Sequence, residues 1–338
     1  MSITWKTAAV RPLVGVVAGL VALTGCATAG GGSSKSDEVS VVGFSILKTA
    51  NEQLLKDFQK TDAGKGVTFK TSYGASGDQS RAVIAGLDAD EVHLSLEPDV
   101  TKLVDEKLVA DDWKSGPNKG VVTQSVVAIV VRKGNPKGVK DWPDLVKPGI
   151  SIVTPNPKTS GNGQLSLYAA WGSVMLRGGT RQQAIDYLTK LYKQVPVLDS
   201  GARAATTTFV QKRIGDVHLA WENEAQLEVK EAAGALELVY PPISIRAEPH
   251  VAVVDKNVDR KKTRAAAEAY LKFLYTPEAQ EIIAQNFYRP TDPEVLKKYA
   301  KTFPAVKMFG ISEISKGWTD AFKQLVGDGG VFDSIYKP

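Results

Sequence analysis

The chain has 338 residues, 43% of them hydrophobic and 23% charged, and a net charge of +5 at neutral pH. That much apolar material excludes a disordered chain, and so mild a positive excess excludes the concentrated basic face that nucleic-acid binding requires. A single cysteine excludes an internal disulfide framework.

From the start of the chain, Lys6 and Arg11 precede or flank an apolar run over residues 13–23, which reads as a secretory signal. The run is too short to span a membrane, which takes about 20 residues. Its ending, Leu23-Thr24-Gly25-Cys26, resembles the bacterial lipobox. The resemblance implies a signal peptide over 1–25 and lipidation of Cys26, the sole cysteine. Residues 26–38 are small, polar and glycine-rich, a flexible tether with a root-mean-square reach of about 20 Å. A lipid anchor, a slack tether and a folded body place the protein on the outer side of the cytoplasmic membrane.

Beyond the tether, apolar β-branched runs alternate with helical periodicity. Strands are expected at 39–44, 67–73, 92–96, 126–131, 150–154, 195–198, 217–221, 236–240 and 251–254. Between them lie helices such as 51–60, with Leu54, Leu55 and Phe58 on one face, and 182–194, which ends before Pro196. The alternation argues for an α/β fold with open sheets, and about 300 residues exceed what one core usually supports. Two lobes are therefore expected, one from 39–125 plus 248–300 and the other from 126–247, with 301–338 assigned to neither. The long extended stretches 121–132 and 240–254 read as strands of a hinge between them.

Ligands of open α/β sheets sit beyond the carboxyl ends of strands, near helix N-termini. Four such junctions stand out: Ser45 after VVGF, Ser76 after FKTSYGA, Ser160-Gly161-Asn162 after IVTPNPKT, and Ala202 after VLDSG. Each helix start leaves main-chain N–H groups without intrahelical partners and carries partial positive charge, so together they suit a small anion. The stretch TPNPKTSGNGQ lacks the lysine a nucleotide-binding P-loop carries after its last glycine. Local explanations compete at each junction. Ser76 with Gln79 fits a capping box that needs no ligand, and Ser160 fits an ordinary N-cap.

The segments NPKTSGNGQ, YAAWG, VLDSGARAATTTF, GDVHLAWENEA, AEPHVAVVDKNVD, AYLKFLYTPEAQ and NFYRP resemble the sulfate-binding proteins that serve bacterial ABC importers. The resemblance implies a two-lobed, type II periplasmic-binding-protein fold that closes on one sulfate, with thiosulfate or another oxyanion as the alternative ligand. It implies contacts from the main-chain N–H groups of Ser45, Gly161, Asn162 and Ala202, the hydroxyls of Ser76 and Ser160, and the indole of Trp221, with Arg203 supporting the Ala202 loop from behind. Some relatives have an acidic residue in place of Ser45 and a glycine in place of Asn162. Either change spares the main-chain donor, while the Asn162 side chain could narrow the cleft or add a donor. The implied partners are a membrane permease and its ATPase, met by a monomer with no cofactor.

A pocket of donors favours sulfate, which only accepts hydrogen bonds, over hydrogen phosphate, whose proton needs an acceptor. Asp78 and Glu222 are the carboxylates near enough in sequence to spoil that distinction. An enzyme is the rival class. GASG around Ser76 is not the G-x-S-x-G nucleophile elbow, and His93, His218 and His250 lack metal-ligand spacing. No catalytic or metal site is expected.

Overall fold

The computed structural model describes residues 37–336. The expected signal segment, Cys26 and nearly all of the tether lie outside them. Among the described residues no helix is long and apolar enough to cross a membrane.

Two sheets organise the fold. The first has four strands in the order β10-β3-β1-β2, formed by β1 (Glu38–Phe44), β2 (Thr68–Gly74), β3 (Glu91–Leu94) and β10 (His250–Val253). Strand β1 runs parallel to both β2 and β3, and β10 is antiparallel to β3. A central parallel strand is covered on both faces, so its sequence is a continuous apolar run rather than an alternation. Val39, Val41 and Val42 are accordingly buried, while the edge strand β2 is polar and half exposed. Helix α1 (Lys48–Phe58) packs its Leu54, Leu55 and Phe58 face inward, as its spacing predicts. Helices α2 (Ser76–Ile84) and α3 (Glu97–Asp105) follow β2 and β3.

The second sheet is built around β4 (Thr123–Arg132), nearly all buried. Its order is β12-β9-β4-β7-β5-β6, from β5 (Ile152–Pro155), β6 (Leu198–Asp199), β7 (Val217–Trp221), β9 (Ile243–Ala247) and β12 (Lys307–Phe309). The short strands β8 (Leu236–Val239) and β11 (Arg289–Pro290) also pair with β4. Helices α4 (Gly161–Met175), α5 (Arg181–Lys193), α6 (Ala202–Thr206) and α7 (Glu222–Glu231) belong to this part of the chain. The strand expected at 195–198 shrinks to Leu198–Asp199. Pro196 has no N–H to give a ladder, and Val195 instead turns its N–H to Tyr192.

The chain passes between the sheets along two extended segments lying side by side. Val121 bridges to His250 of the first sheet, and Ser125 and Val126 pair with Ala247 and Arg246 of the second. A third passage is pinned by Arg289 of β11, which forms two hydrogen bonds to the Glu222 carboxylate at 2.6 and 2.9 Å. The C-terminal segment packs mainly on the second sheet and its helices. Its strand β12 pairs with β9, and Phe309 fills the space beside Gly172, where a Cβ would come within 2.3 Å of the ring.

Candidate functional site

All seven residues expected to contact a ligand line one small, close-walled cavity. Ser45, Ser76 and Ser95 come from the ends of β1, β2 and β3 in the first sheet. Ser160, Gly161, Asn162, Ala202 and Trp221 come from the ends of β5, β6 and β7 in the second. The cavity thus lies between two sets of parallel strand ends, where such sheets hold ligands.

The local sequence explains each donor. Gly161 and Asn162 are the first residues of α4, and Ala202 is the first of α6. Their N–H groups precede any intrahelical partner. Ser160 is the N-cap, as its chemistry predicts, and accepts a hydrogen bond from the Gly163 N–H at 3.3 Å, leaving its own proton free to donate. The two glycines of TSGNGQ admit close approach. A Cβ at Gly161 would stand 1.9 Å from the Ser95 Oγ, and one at Gly163 would stand 2.4 Å from the Pro155 carbonyl oxygen.

Ser76 departs from the capping expectation. Helix α2 begins with Ala75 as N-cap and has no side-chain cap. Ser76 is therefore the first helical residue, and its hydroxyl donates to Asp99 Oδ2 at 2.7 Å while accepting from the Ser95 N–H at 3.0 Å. Gln79 turns instead to the Ser72 hydroxyl. Asp99, buried in α3 and also paired with Lys102 at 2.9 Å, is a neighbour the sequence did not single out.

Several polar atoms of the lining have no partner. Trp221 is fully buried, its ring 5.5 Å from that of Phe44, and its indole N–H is unpaired. The Asn162 Nδ2 and the Ser95 hydroxyl are likewise buried and unpaired, although the Asn162 Oδ1 accepts from the Ser166 hydroxyl at 3.4 Å. Buried polar groups are nearly always satisfied, so unpaired donors gathered on one cavity mark a place for an acceptor. Ser95 was missed because VHLSL reads as unbroken strand. The signal that could have found it is Pro98, which marks a helix start and so leaves little room for the strand beyond Leu94.

Among the described residues, no charged side chain lines the cavity. Asp78 is exposed and pairs with Arg81, and Glu222 is held by Arg289 and by the Tyr240 hydroxyl at 2.8 Å. Arg203 stays behind the lining, 3.1 Å from Glu224 Oε1. The same oxygen accepts from Thr206 of α6 at 2.7 Å, so Glu224 ties the Ala202 helix to the helix that follows Trp221. Burial pushes the Glu224 carboxyl above its ordinary range while Arg203 pulls it down. Burial likewise raises Glu222 against the pull of Arg289. The histidines are apart from the cavity. His218 pairs with Glu228 at 3.0 Å, His93 with Glu91, and His250 packs against Trp113.

Two mixed sheets with flanking helices and a small cavity between their strand ends define a type II periplasmic binding protein. The chain belongs to the bacterial extracellular solute-binding protein family, whose model matches residues 39–289. It is 45% identical over 315 residues to the thiosulfate-binding protein of Pseudomonas aeruginosa, covering 91% of this chain and 95% of that one. It is 46% identical over 310 residues to the sulfate-binding protein of Escherichia coli, covering 90% and 94%. The structure of the sulfate-binding protein SubI from Mycobacterium tuberculosis matches with a TM-score of 0.80 and 36% identity, over 86% of this chain and 99% of that one.

Proposed function

We propose that this protein captures sulfate in the cavity between its two sheets and delivers it to an ABC importer. The observation that carries the reading is a compact cavity lined by uncharged groups, several of them buried donors without partners. The donors are the N–H groups of Ser45, Gly161, Asn162 and Ala202, the Ser160 hydroxyl and the Trp221 indole. Ser76 forms part of the same wall with its proton turned to Asp99. Each hydrogen bond to a dianion contributes about 1.5–3 kcal/mol, and six of them exceed the roughly 8 kcal/mol of micromolar binding, leaving a margin for desolvation and closure. No carboxylate lines the cavity to accept the proton of hydrogen phosphate, whose burial unpaired costs about 1–3 kcal/mol. Thiosulfate is the second reading, favoured by the 45% identity to a thiosulfate-binding protein.

Residues 39–125 with 248–300, and 126–247, act as two lobes closing about the paired segments near Val121 and His250. The protein works outside the cytoplasm as a monomer, held to the membrane by lipid on Cys26, and hands its ligand to a permease driven by an ATPase. Its family is one of solute binders, and no reaction is assigned to it. Calorimetric titration of the mature chain near pH 8 with sulfate, then with thiosulfate and phosphate in competition, tests the reading. Micromolar or tighter sulfate binding with phosphate excluded is expected; phosphate binding as well or better would overturn the ligand assignment.

A further inference from the structure

We infer that the Ser95 hydroxyl, rather than that of Ser76, supplies the first sheet's side-chain proton to the bound oxyanion. The inference rests on the proposed sulfate site and adds a specific contact to it. Ser95 is 3% exposed and lines the cavity, and its hydroxyl has no hydrogen-bond partner among the described residues. Its main chain is fixed, because its N–H donates to the Ser76 oxygen at 3.0 Å. The Ser76 proton, by contrast, is already directed to the Asp99 carboxylate at 2.7 Å. A hydroxyl carries one proton, so Ser76 cannot serve Asp99 and an acceptor-only ligand together.

The position of Ser95 sharpens the assignment. Its oxygen lies 1.9 Å from where a Gly161 Cβ would be, against the opposite wall. The hydroxyl therefore stands against the opposite wall, beside the first residues of α4. A donor there contacts the anion only once both walls are in place.

The test is calorimetry and stopped-flow binding on the full mature chain, with wild type, Ser95→Ala, Ser76→Ala and Trp221→Phe titrated with sulfate. Wild type must bind first; failure to bind sulfate would sink the underlying functional reading. Given binding, Ser95→Ala is expected to raise Kd about tenfold, mostly through faster dissociation. Its ligand-free melting temperature should be unchanged, because the lost hydroxyl had no partner in the protein. Ser76→Ala should raise Kd less than Ser95→Ala does. The inference is overturned if Ser95→Ala binds within twofold of wild type while Trp221→Phe is weakened, or if Ser76→Ala is the more damaging of the two serine changes.

Discussion

The two walls of the cavity solve one problem by different means. The first-sheet wall is satisfied except at the Ser95 hydroxyl: Ser76 is bonded to Asp99 and to the Ser95 N–H, and Asp99 in turn holds Lys102. The second-sheet wall keeps its donors unspent, with the Trp221 indole and the Asn162 amide buried and unpaired. Its carboxylate, Glu224, stands behind and joins α6 to α7 instead of reaching a lining side chain. The first wall thus spends most of its polar groups internally, the Ser95 hydroxyl apart, and the second keeps two side-chain donors that only a ligand can satisfy. Substitution of the bonded Ser76 should cost folding, and substitutions that remove an unpaired donor from either wall, Ser95 or Trp221, should cost binding.

The largest effect should come where the walls meet. Gly161→Ala sets a methyl 1.9 Å from Ser95 Oγ and 3.0 Å from its Cβ, so the Ser95 hydroxyl must swing aside and the walls must give. A loss of sulfate affinity of at least about a hundredfold is expected by calorimetry, since overpacking typically costs 1–3 kcal/mol before any donor moves out of reach; tight binding in this variant would mean that the walls do not close on each other. Next comes Trp221→Phe, which deletes one unpaired donor and should weaken sulfate about ten- to a hundredfold, with unchanged affinity counting against the second wall's role. Ser76→Ala should show the opposite balance. It leaves Asp99 and the Ser95 N–H short of a partner, so urea titration should register a loss of about 1–3 kcal/mol, while affinity falls only a few fold.

The smallest effect concerns neither wall. Burial of His250 at the crossing between the sheets pushes its pKa from 6.5 down to about 4. The folded state therefore resists a proton that the unfolded chain takes up. Stability from this group is complete above pH 6.5 and is lost as the pH falls from 6.5 towards 4, by about 3 kcal/mol in all. His250→Gln, which cannot protonate in this range, should flatten that part of the stability profile, and an unaltered profile would remove His250 as its cause.

The strands were legible because β-branched runs such as VSVVGF and VVAIVV are buried on both faces, and the helix starts because serine and glycine follow them. The joint placement of Ser45, Ser160, Gly161 and Ala202 on one cavity followed from those junctions. Trp221 came only through the resemblance, since a tryptophan at a strand end carries no local sign of an unpaired indole. What stayed hidden depends on partners distant in sequence. Asp99 takes the Ser76 proton across 23 residues, and Glu224 reaches Thr206 across 18. Ser95 was hidden differently, inside an apolar run that ends earlier than its composition implies. The strands β11 and β12 are two and three residues long, too short for any periodicity to show.

None of the residues lining the cavity titrates: they are serines, glycines, alanines, an asparagine, an isoleucine, a phenylalanine and a tryptophan. Such a clamp has no chemical release. Acid cannot loosen it by protonating a contact, and salt has no lining ion pair to screen. On the proposed function its grip would be set by how closely the two walls stand, and unloading would be mechanical: whatever drew the walls apart would remove the donors together and would have to supply the work of doing so.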